Sequence, residues 1–85
     1  MDELMLDGNA VAGLLHEVFA VEMTNAVGTC AGCGTPGPVG AAHVYRSAGT
    51  VLRCPHCGNT LAKIGKNESR VWIDLTGIRT LEVTV

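Results

Sequence analysis

Four cysteines in two matched pairs constrain this chain more than any other feature. Cys30-Ala31-Gly32-Cys33-Gly34 and Cys54-Pro55-His56-Cys57-Gly58 are each a Cys-x-x-Cys followed at once by glycine, and twenty residues lie between Cys33 and Cys54. A Cys-x-x-Cys turn aims two thiolates at one point while its backbone amides hydrogen-bond to sulfur. Two such turns supply four soft ligands to a tetrahedral ion. The glycine after the second cysteine permits the positive φ that tight turns often need. Cys30, Cys33, Cys54 and Cys57 are therefore the expected ligands of one structural zinc per chain, with iron able to substitute.

Other chemistries fit these cysteines less well. Disulfides need an oxidising compartment, and Met1-Asp2-Glu3-Leu4-Met5-Leu6-Asp7 is acidic where a secretory signal is basic. Cys54-Pro55-His56-Cys57 resembles the tetrapeptide of strongly oxidising thioredoxin-like enzymes. That chemistry sets the first cysteine at a helix N-terminus in a βαβ-type fold. Here Gly58-Asn59 follows, no long helical pattern comes after it, and a second Cys-x-x-Cys matches the first. The paired Cys-x-x-Cys-Gly motifs are also similar to the iron site of rubredoxins. Rubredoxins surround their iron with aromatic and acidic residues, whereas this segment carries Tyr45 and Trp72 and is mildly basic, which favours zinc. A hydrolytic zinc keeps a position open for water, usually with three protein ligands and a carboxylate base. No Asp or Glu lies near either motif, so no catalysis is expected. His56 sits inside the second motif and is expected to stay exposed beside a complete shell. His43 is expected to be half-buried or on the surface, with a hydrogen bond to a cysteine sulfur as its functional alternative. His16 reads as an edge residue.

A chain of 85 residues makes one domain with a limited core, for which a metal staple is physically expected. No apolar run approaches a membrane span, and a cytoplasmic, non-membrane protein is expected. Charge is unevenly placed. Residues 1–29 hold five acids and no Lys or Arg; residues 30–85 hold six bases, Arg46, Arg53, Lys63, Lys66, Arg70 and Arg79, against three acids. Attraction between an acidic helix and a basic remainder explains this simply. A modest basic face for an anionic partner is the functional alternative.

Along the chain, Asp7 is a good N-cap, and Val11, Leu14, Leu15, Val18 and Phe19 recur on one helical face, predicting a helix over 8–21. The stripe is expected to cover the remainder of the domain, with a dimer seam as its second use. Segments 23–27, 41–46, 50–53, 59–64, 69–75 and 79–85 read as strands, and 28–29, 34–38, 47–49, 65–68 and 76–78 as turns or loops. In segment 69–75, Val71, Ile73 and Leu75 alternate with Arg70, Trp72 and Asp74. Trp72 is expected to be core or cover; exposed, it would be a partner anchor.

The order strand, knuckle, hairpin, knuckle, strand over residues 23–65 resembles the zinc-ribbon or rubredoxin-like class. Leu6-Asp7-Gly8-Asn9-Ala10, the two knuckles and Trp72-Ile73-Asp74-Leu75-Thr76-Gly77 together resemble a family of short uncharacterised bacterial zinc-ribbon proteins. That resemblance implies a bacterial cytoplasmic protein and no activity. The expected fold is a small α+β domain. Residues 1–22 form an N-terminal tail and amphipathic helix, packed on an antiparallel zinc ribbon with additional C-terminal strands, a β-hairpin, over 23–85. The expected function is a non-enzymatic structural-zinc module that contacts a protein partner or its own copy. The alternatives are a nucleic-acid-associated ribbon, and an iron-loaded or thiol redox protein. Arg46, Arg53, Lys63, Lys66 and Arg70 gathered on one face would favour nucleic acid.

Overall fold

The computed structural model describes residues 6–20, 22–46 and 48–84. The expected tail at 1–5, and Val21, Ser47 and Val85 at the ends or turns of expected elements, lie outside the described residues. The strands in chain order are β1 (Leu6–Asp7), β2 (Val27–Cys30), β3 (Pro36–Pro38), β4 (His43–Arg46), β5 (Thr50–Arg53), β6 (Thr60–Lys66), β7 (Val71–Asp74) and β8 (Ile78–Glu82). They form two antiparallel sheets, one in the order β1-β4-β5-β6-β7 and the other β3-β2-β8. With one N-terminal helix, this is the small α+β class.

Asp7 caps the helix as its residue type predicts, its carboxylate accepting the Ala10 N–H at 3.3 Å. The helical segment opens as a 3-10 turn, Gly8–Val11, and continues as α1 (Ala12–Phe19). Ala20 stops it in the left-handed region at φ 59°, its N–H donating to the His16 carbonyl. Val11 and Leu15 are buried, and Leu14, Val18 and Phe19 pack half-buried against the core. The apolar stripe is thus used inside the chain.

The large sheet supplies the rest of the core through one face. Its register lines up Val44, Leu52 and Ala62, all buried, and beside them Thr50 and Ile64. The other face is open and carries Tyr45, Val51, Lys63, Asp74 and Trp72. Lys66 reaches from this sheet to Glu17 of the helix, the pairing that the uneven charge distribution predicts.

Several boundaries differ from the sequence reading. Segment 23–26 is a turn rather than a strand: Met23 and Ala26 are buried, and the Ala26 N–H donates to the Met23 carbonyl. The strand begins later and runs through Gly28 and Thr29, expected as a turn. The expected loop at 34–38 contains β3. Its prolines are tolerated because β3 is an edge strand, paired on β2 alone. Residues 39–41 form a 3-10 turn. Strand β6 extends to Lys66, so the turn falls at 67–70, where the Asn67 carboxamide accepts both the Ser69 and Arg70 N–H. The two C-terminal strands do not pair with each other: β7 adds to β6 and β8 crosses to β2.

Trp72 is neither core nor cover. It is 54 % exposed on the open face of the large sheet, opposite Gly65. The core it was expected to join is filled by aliphatic residues of α1, β4, β5 and β6. Among the described residues no helix is long and apolar enough to cross a membrane.

Candidate metal centre

The first knuckle grows out of the small sheet and the second out of the large one. Cys30 ends β2, and Cys33-Gly34 leads on to β3. Cys54 follows β5, and Cys57-Gly58 leads into β6. Each knuckle follows a strand whose pairing register shifts near the first cysteine, beside Thr29 and Cys30 and beside Leu52 and Arg53, with the extra residue on the partner strand, Arg79 of β8 and Leu61 of β6.

The two turns are built alike. The Cys30 N–H donates to the Thr35 carbonyl at 3.1 Å, and the Cys54 N–H to the Asn59 carbonyl at 2.9 Å. The Gly34 N–H returns to the Cys30 carbonyl and the Gly58 N–H to the Cys54 carbonyl, at 2.8 and 2.9 Å. Closing the turn requires φ of +75° at Gly34 and +78° at Gly58, a region open to glycine and costly to most other residues. The Gly32 N–H points at the Cys30 sulfur at 3.3 Å.

All four sulfurs lie within 4.8 Å of one another. Across the knuckles, Cys30 and Cys57 are 3.6 Å apart, and Cys33 and Cys54 3.7 Å. Four sulfurs held ~2.3 Å from a central ion at tetrahedral angles sit ~3.8 Å apart. A disulfide requires ~2.05 Å, and all four cysteines are free. The donor set and its spacing thus fit a tetrahedral metal ion, without distinguishing zinc from iron.

The shell has an inner and an outer half. Cys30 and Cys54 are buried, each the first cysteine of its knuckle; Cys33 and Cys57 are exposed. Hydrogen bonds from the Thr35 hydroxyl, then from its amide, hold the Cys33 thiol down at about 6. The Asn59 amide pulls Cys57 down as well, but partial desolvation and the crowding of Cys30, Cys33 and Cys54 outweigh it and push this thiol up to about 12. Ligating thiols must be deprotonated, so ion binding at this cluster would release protons.

Sequence reasoning placed the four cysteines and missed their supports. Thr35 and Asn59 occupy the same place in the two knuckles, five residues after the first cysteine, an offset visible in the sequence once the motifs are aligned. Asn59 also fills the space under Gly32, where an added Cβ would fall 1.7 Å from its Nδ2. Gly77 sits between the first knuckle and the start of β6. Its carbonyl accepts the Ala31 N–H of the first at 2.9 Å, and its Cα lies so close to β6 that a Cβ would fall 1.8 Å from the Thr60 carbonyl oxygen. Nothing in the local sequence marks that contact. His56 is exposed, as expected, and His43 is half-buried.

The five bases do not gather on one face. By the alternation of the sheet, Arg53, Lys63 and Arg70 belong to the open face, and Arg46 and Lys66 to the opposite one. Arg53 is also engaged locally, lying 5.6 Å from the Tyr45 ring and donating to the Gly58 carbonyl.

Compared with known proteins, the chain matches one family model over residues 1–85, described as a family of unknown function, DUF6510. Neither the curated proteins nor the solved structures compared with it contain a match.

Proposed function

The chain belongs to this family of unknown function, so its role is read from its own residues, and we propose that it is a non-enzymatic structural-zinc module working through contact with protein, its own copy included. One observation carries the reading: four sulfurs within 4.8 Å, two delivered by each sheet. An ion there would tie the two sheets together through the two knuckles. Structural zinc contributes on the order of 10 kcal/mol, as much as a small domain's whole stability. Cys30, Cys33, Cys54 and Cys57 would hold it, and a complete thiolate shell leaves no position for a reacting water.

Clustered cysteines without disulfides suit a reducing compartment, which supports the cytoplasm as the setting. The protein-contact role is supported by exposed apolar residues gathered on β7, Val71, Trp72 and Ile73, continuing to Leu75. The nucleic-acid reading is weakened by the split of the bases between two faces.

Elemental analysis with thiol counting tests the proposal. One zinc per chain is expected, with four thiols that react only after chelation. Two disulfides and no metal would overturn it; a red, iron-loaded protein would move the reading to electron transfer.

A further inference from the structure

Strand β7 ends the large sheet, and among the described residues nothing pairs with its outer edge. Which backbone groups face outward follows from the hairpin. The Asn67 N–H donates to the Arg70 carbonyl across the turn. Antiparallel pairs alternate between bonded and non-bonded, so Trp72 and Asp74 turn their amides to β6 while Val71 and Ile73 turn theirs outward. The β6 side agrees: the Ile64 carbonyl, opposite Ile73, faces Gly49 on the far side.

This edge is apolar where edge strands are usually blunted. Val71, Trp72 and Ile73 are 43 %, 54 % and 41 % exposed. It is also complementary to itself. When two copies are laid antiparallel about Trp72, Val71 of each meets Ile73 of the other, and both have outward N–H and C=O groups to exchange. Trp72 meets Trp72 as a non-bonded pair, where side chains come closest. On that same face, Arg70 of each copy stands opposite Asp74 of the other, at both ends of the seam. A register two residues off would forfeit these charge pairs.

We infer that β7 is a homodimer seam, pairing with β7 of a second copy in the register Trp72 to Trp72, closed at both ends by Arg70–Asp74 pairs and continuing the five-stranded sheet into a second molecule. The inference deepens the proposed protein-contact role and rests on it, committing that role to one partner, a second copy.

The test is sedimentation equilibrium of the metal-loaded full chain across a concentration series, with amide hydrogen exchange on the same samples. A monomer–dimer equilibrium is expected, with Trp72 emission moving to shorter wavelength as dimer forms. Val71 and Ile73 amides should gain protection with concentration, while Trp72 and Asp74 amides, already bonded to β6, should not. Arg70→Asp should weaken self-association about tenfold, since like charges then stand opposite one another at both ends. Mixing that variant with Asp74→Arg should restore pairing between the two variants. Asp74 also caps the following turn, so Asp74→Arg is used only if its thiols stay masked; otherwise the exchange pattern decides. A metal-loaded protein that stays monomeric, or a dimer indifferent to Arg70→Asp with Val71 and Ile73 unprotected, overturns the seam and leaves the metal module standing. A protein without metal overturns the module instead.

Discussion

The sulfur of Cys30 lies 3.6 Å from that of Cys57, although 27 positions separate them in the chain. Cys30 belongs to the small sheet and Cys57 to the turn that opens β6 of the large one. The contact is a join between the two sheets, at a cluster that fits a metal ion.

Losing an inner ligand should therefore differ from losing an outer one. Cys54→Ser and Cys33→Ser each remove a thiolate and much of the metal's stabilisation. Cys54 is also buried, so its replacement leaves a hydroxyl in an apolar site, at a further cost of about 1–3 kcal/mol. Thermal melts of the zinc-loaded variants should rank Cys54→Ser below Cys33→Ser, with metal content reduced in both. Equal melting, or a Cys54→Ser protein that keeps its metal and its melting temperature, would break the assignment.

Gly34 and Gly58 should be sensitive for a backbone reason. Each holds positive φ with no neighbour close enough to obstruct a side chain. Alanine at either position costs about 1–2 kcal/mol in conformational strain alone, and asparagine less, since it tolerates that region better. Zinc affinity measured by competition with a chromogenic chelator should fall in the order Gly, Asn, Ala.

Gly77 and Gly13 form a contrasting pair. A Cβ on Gly77 would run into the Thr60 carbonyl, so the turn must move and the Ala31–Gly77 hydrogen bond with it; Gly77→Ala should destabilise by about 1–3 kcal/mol. Gly13 lies exposed within α1 with open space around it, and Gly13→Ala should stabilise by about 0.5–1 kcal/mol. Denaturant unfolding of the two metal-loaded variants should move in opposite directions.

What the sequence made legible follows a physical division. The cysteine spacing, the Asp7 cap and the 11-14-15-18-19 stripe are local codes, and the structure honours each of them. The pairing of β8 with β2 instead of β7 joins segments about 50 residues apart in the chain, and no local pattern encodes it. Trp72 was misplaced because an alternating strand carries no mark of which face is covered. The register with Gly65 puts the ring on the face opposite the core, where it is exposed. Strand β3 was hidden by its prolines, which a central strand excludes and an edge strand admits.

Acid should act on Asp74 in a defined direction. Its carboxylate accepts the Thr76 N–H at 2.9 Å and the Thr76 hydroxyl at 2.7 Å, and these bonds, the amide first, hold it below its ordinary value of 3.8. A carboxyl lowered by folding stabilises the fold fully above its unfolded value, and that contribution is lost as pH falls through the folded value. The turn at 74–76 should thus be intact at neutral pH and loosen below 3.8. Melting is a poor readout, because acid also protonates the thiolates and releases the metal. The side-chain carboxyl shift of Asp74, followed by NMR in the metal-loaded protein, isolates the group. Its midpoint should fall below 3.8, and Thr76→Val should raise it while leaving the amide bond in place. A midpoint at or above 3.8 would show that the Thr76 bonds do not form in solution.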